Sequence, residues 1–80
     1  MPIKEAVVLR FQQICRDRGM AYNELATNAG VTPSTVYSMM DNSRKDLSIL
    51  TIKKLCDGLD MKLPEFFDAE IFWNLEQEIR

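Results

Sequence analysis

Eighty residues, 46% hydrophobic and 28% charged, are enough for one domain with a single modest core. The apolar runs are too short to span a bilayer, histidine is absent, and the two cysteines stand 41 positions apart, which sets aside membrane, metal-cluster and disulfide-scaffold classes. The formal charge of −2 is unevenly divided: residues 1–56 carry eight basic and five acidic groups, whereas residues 57–80 carry two and seven. A polyanion senses the local field rather than the sum, so the first part can serve a nucleic acid while the acidic part is expected to face away from it.

Ile3, Val7, Phe11, Ile14 and Cys15 recur at helical spacing and predict an amphipathic helix from about residue 3 to 17, stopped by Gly19. Tyr22 to Ala29 reads as a second helix. Leu25, Ala26 and Ala29 share its inner face, and Gly30 permits a sharp exit. Thr32-Pro33 is a restart signal, a hydroxyl cap followed by a proline where no N–H is needed, and opens a third helix to about Met40. Val36 and Met39 point inward from it, and Val31 fills the corner between the two helices. This is the pattern of a helix-turn-helix, over about residues 22–40.

The polar stretch from Asp41 to Asp46 is a loop, with Asn42 expected as a left-handed cap. Ser48 caps a fourth helix with the inward stripe Ile49, Ile52, Leu55 or Cys56, and Leu59, in which Gly58 suggests a close helix contact. Pro64 lies in the first turn of a further helical segment whose apolar face is Phe66, Phe67, Ile71, Phe72 and Leu75. The prediction is therefore an all-α chain of five helices forming one domain over 1–80, with a short helical extension at 68–80. Cys15 and Cys56 fall in phase with apolar neighbours and read as buried free thiols.

The order of these helices, with Glu24-Leu25-Ala26, Gly30-Val31, Ser34-Thr35-Val36, the run Thr51 to Leu59 and Glu65-Phe66-Phe67, resembles the lambda-repressor-like DNA-binding domain, the Cro/repressor or XRE group of bacterial and phage regulators. The resemblance covers about Ile3 to Phe67. Leu55-Cys56-Asp57-Gly58-Leu59, Glu65-Phe66-Phe67 and the final Asn74 to Ile79 are similar to short stand-alone regulators of Firmicutes. It implies a transcriptional regulator, a repressor by expectation, that binds double-stranded DNA through its third helix. Two departures stand out. Ala21 and Tyr22 replace the usual Ser-Gln at the start of the second helix, and Pro33 and Ser34 replace the glutamine or arginine base readers of the third.

Thr32, Pro33, Ser34, Tyr37 and Ser38 form an uncharged outer face suited to a groove, where serines are tolerant readers and a tyrosine ring can meet a thymine methyl. Phosphate contacts are expected from Tyr22, Asn23, Thr35, Arg44 and Lys45; a solvated loop is the alternative for the last two. Arg16 and Arg18 either contact phosphate or offset the dipole of the first helix. Trp73 lies off its neighbours' apolar stripe and is a candidate homodimer contact, unless the tail folds back onto the first helix. Without histidine or a glycine-rich phosphate loop, no enzyme constellation forms. No cofactor or metal is expected, a small-molecule effector has no separate domain to occupy, and a cytoplasmic location is expected. The second functional reading is a protein-interaction module of antitoxin-like or phage accessory type.

Overall fold

The computed structural model describes residues 1–79 and runs α1 (Ile3–Arg18), α2 (Tyr22–Ala29), α3 (Pro33–Met40), α4 (Ile49–Gly58) and α5 (Leu63–Phe67), followed by one 3-10 turn, Glu70–Phe72. No strand occurs among the described residues. The expected bounds of α2 and α3 coincide with the observed ones. The local signals explain why: Gly30 takes φ +70° after α2, and the Thr32 hydroxyl accepts from the Thr35 N–H at 3.3 Å ahead of Pro33.

The core unites Val7, Phe11, Ile14 and Cys15 of α1 with Leu25 and Ala26 of α2, Val36 and Met39 of α3, Ile52, Leu55 and Cys56 of α4, then Leu59 and Phe66. Among the helix pairs, α2 packs most heavily on α4. That approach is close because Gly58 lies against the backbone of Ala29. A Cβ at Gly58 would stand 2.8 Å from the Ala29 nitrogen and 2.9 Å from its Cα. The glycine in the α4 stripe thus has the close-contact role expected of it.

Arg10 ties α1 to α5. Its Nε donates to the Phe66 carbonyl at 2.7 Å and its Nη2 to that of Glu65 at 3.1 Å, so a cation meets the carbonyl end of the helix.

Three expectations need correction. Asn42 is not a left-handed cap; α3 ends in extended backbone at Asp41, and among the described residues the non-glycine position with positive φ is Asp60. Asp41 stops the helix by turning its carboxylate to the Ser43 N–H at 2.9 Å. Ile49 does not face inward and is 63% exposed, because the first turn of α4 projects beyond the core. The extension is not a continuous helix: α5 stops at Phe67, and the chain resumes only as the 3-10 turn. The break places the Phe72 ring 5.0 Å from Phe67 and 6.0 Å from Phe66, whereas unbroken helix would point Phe67 and Phe72 about 140° apart. Part of the acidic third also runs close to the basic part. Glu76 and Glu78 line a cleft of about 270 Å³ that Lys45 and Asn42 also line. The Glu76 N–H donates to the Met1 carbonyl at 2.9 Å and the terminal ammonium donates to the Asn74 carbonyl at 3.3 Å, which holds the tail against the start of the chain.

Gly58→Ala should destabilise the fold by about 1–2 kcal/mol, the overlap with Ala29 outweighing the better helix propensity, as measured by urea denaturation. Burial, reinforced by Asp57, pushes the Cys56 thiol up to about 11. A fold that favours the protonated thiol keeps that contribution below about pH 8.5 and loses it as pH climbs through the folded value. Denaturation midpoints should therefore fall between pH 8 and about pH 10.5 in the native chain. The part of that fall due to the thiol should disappear in Cys56→Ala.

Candidate functional site

The cations sort into two groups once the side chains are placed. Lys4 is only 6% exposed, and its ammonium has no hydrogen-bond partner among the described residues. Arg10 is held by α5, Arg18 donates to the Leu59 carbonyl at 2.5 Å, and Lys53 pairs with Asp57 one helical turn away. Among the described residues no ion pair or side-chain hydrogen bond engages Arg16, Arg44, Lys45 or Lys54. The basic excess of residues 1–56 is therefore in part structural.

Arg44 and Lys45 line a groove of about 610 Å³ between α3 and the start of α4, together with Thr35, Ser38, Ser48 and Thr51. The Ser48 Oγ accepts from the Thr51 N–H at 3.2 Å, while the first amides of α4 have no partner within the helix. Two cations against the one carboxylate of Asp46, with four hydroxyls and a helix N-terminus, leave the groove attractive to an anion. Ser48 and Thr51 were not among the expected contacts. The signal was nonetheless present, since a capping serine three residues after a basic pair brings helix amides to those charges.

Arg18 lies elsewhere. It is bound at Leu59, about 16 Å along α4 from Ser48 at 1.5 Å per residue. The Arg18 side chain thus closes the C-terminal end of α4. Arg16 lines a different cleft, of about 540 Å³, with Leu9 on the α1 side and Glu70 and Ile71 opposite. Trp73 follows that turn and is 79% exposed.

On α3, Thr32, Pro33 and Ser34 are exposed and Tyr37 is 55% exposed, while Thr35 and Ser38 are half-buried at the edge of the large groove. The Thr32 hydroxyl lies 3.0 Å from that of Ser34 and 2.9 Å from that of Thr35. These hydroxyls are thus linked to one another at the start of the helix. Asn23 is exposed on α2, and its carbonyl accepts from the Thr27 hydroxyl at 3.0 Å. Tyr22 is half-buried and packs edge-on against Tyr37, ring centres 5.5 Å apart. Burial raises the pKa of the Tyr22 hydroxyl, so the group is neutral at physiological pH. Val36 and Met39 are buried beneath this face.

The arrangement offers an uncharged convex helix beside an anion-attracting groove. Among the described residues no group of three potential ligands could hold a metal ion, and no helix is long and apolar enough to cross a membrane. The family model of the Cro/C1-type HTH DNA-binding domain matches residues 10–70. Neither a curated protein nor a solved structure matches the chain.

Proposed function

Because the chain belongs to the Cro/C1-type helix-turn-helix DNA-binding family, we propose that it regulates transcription, as a repressor, by inserting α3 into the major groove of duplex DNA. The observation that carries this reading is the groove holding Arg44, Lys45 and the start of α4 beside the uncharged face of α3. A phosphate seated there meets two cations and the positive end of the α4 dipole while Ser34, Tyr37 and Ser38 face the base edges. Thr32 and Pro33 set the angle at which that face enters. Thr35, Tyr22 and Asn23 flank it on the backbone side. Occupancy of a promoter is sufficient for repression and needs no second domain.

The family assignment makes DNA the partner; the neutral reading face sets the expected character of the site. Serine hydroxyls donate to or accept from several bases, so sequence preference should be graded rather than absolute. Arg44→Gln with Lys45→Gln should weaken binding to every duplex and lower the salt-dependence slope by about 2. Ser38→Ala should change the preferred site by about 1 kcal/mol while leaving the slope intact. Replacing Glu76 and Glu78 with glutamine should tighten binding modestly, since both line a cleft with Lys45. Anisotropy titrations across a salt series, with fragments including the DNA upstream of the gene, check all three. Equal effects of the Arg44/Lys45 and Ser38 changes on slope and preference would overturn the division of roles.

A homodimer is part of the same proposal, because two half-sites lie about 34 Å apart on one face of the duplex. The Arg16 and Glu70 charges on opposite banks of one cleft, with exposed Trp73 beside it, support a two-fold pairing in which each Arg16 meets the other copy's Glu70. Arg16 is then assigned to the second copy rather than to phosphate. Arg16→Glu alone and Glu70→Arg alone should each be monomeric, yet their mixture should pair, because both contacts regain opposite charge. Light scattering on the separate and mixed variants reads this directly; pairing of neither, or of each alone, removes this face from the interface.

The exposure of Ile49 and Leu50 at the start of α4 supports the second reading, a protein-interaction module. Retardation of no genomic fragment at any salt concentration would favour it.

A further inference from the structure

Tyr22 and Tyr37 stand on different helices, and sequence alone gives each a separate contact. In the structure their rings meet at 5.5 Å between centres and 75° between planes, an edge-to-face pair. The two rings differ in freedom. Tyr22 is half-buried and packed on the core, whereas Tyr37 projects from α3 with more than half its surface exposed. A lone exposed tyrosine on a helix must lose rotamer freedom when it is pressed into a ligand. A ring held on a fixed second ring has lost part of that freedom already.

We infer that Tyr22 and Tyr37 act as one aromatic reading unit, in which Tyr22 positions the Tyr37 ring against the methyl group of a thymine in the major groove. The inference rests on the DNA-binding reading above and adds the class of base the face selects. Charged or amide side chains would read hydrogen-bonding edges; an aromatic ring offers apolar surface, and thymine's methyl is the apolar feature of the major groove. Pro33 and two serines flank Tyr37 on the outer face, and the ring is the larger apolar group there. Tyr22 is a positioning residue, because its effect on the base passes through Tyr37.

The test uses the full chain and a duplex selected by the native protein from a random pool. Each thymine is replaced in turn by deoxyuridine, which removes only the methyl group. The native chain should show one position per half-site where replacement weakens binding about fivefold, and Tyr37→Ala should abolish that sensitivity. Tyr22→Phe, which keeps the ring, should retain it. Tyr22→Leu, which keeps apolar volume without the ring, should lose it. In the DNA-free protein, the Tyr37 ring proton resonances should be native-like in Tyr22→Phe and shifted in Tyr22→Leu. Full methyl sensitivity in Tyr22→Leu, or no sensitive thymine in the native chain, overturns the inference while leaving DNA binding in place. Selection of no duplex at all overturns the DNA-binding reading, and the inference falls with it.

Discussion

The contact between Gly58 of α4 and the backbone of Ala29 sets the geometry of everything outward from it. With a Cβ at 58 only 2.8 Å from the Ala29 nitrogen, no other residue allows α2 to lie so close without displacement. Ala26 on the same helix is fully buried, its small side chain consistent with close packing. With α2 fixed on α4, the tight turn at Gly30 determines how α3 leaves the body of the domain. The outer face of α3 and the first turn of α4 then share one groove. A shift of α2 would move the serines and Tyr37 relative to Arg44 and Lys45.

Charge in this chain does two kinds of work. Arg10 and Arg18 are drawn to helix C-termini, where they meet the carbonyls of Phe66, Glu65 and Leu59 and hold elements together. Arg44 and Lys45 sit in a loop ahead of a helix N-terminus, where cation and dipole act in the same direction on an anion. The contrast explains how a chain of net charge −2 can carry an anion-attracting groove. The acidic tail tempers that field, since its course past Met1 brings Glu76 and Glu78 to a cleft shared with Lys45.

Aromatic residues are divided in a similar way. Phe11, Phe66, Phe67 and Phe72 gather their rings within 4.4–6.0 Å and close the end of the core between α1 and the tail. Tyr22, Tyr37 and Trp73 remain at the surface, the first two as a pair and the last alone. The phenylalanine cluster also accounts for the interruption after α5, because bringing Phe72 back onto Phe67 requires the helix to end.

Neighbours along the chain are enough to define the helices whose ends carry local chemistry. Gly19, Gly30, Thr32-Pro33 and Ser48 act through backbone dihedrals and hydrogen bonds within a few residues, so the bounds of α2 and α3 and the cap of α4 could be read directly. The inward sets Leu25, Ala26, Val36 and Met39 followed from periodicity for the same reason. Tertiary structure alone decided the rest. Lys4 and Lys45 look alike in sequence, yet one is buried and the other lines the groove. Ile49 fits the apolar stripe of α4 but extends past the core it would need. Phe72 left the helical pattern for ring contacts that no spacing rule contains, and Tyr22 met Tyr37 across a helix crossing. Helix caps are set by neighbours along the chain, whereas burial and pairing depend on which surfaces the folded chain brings together.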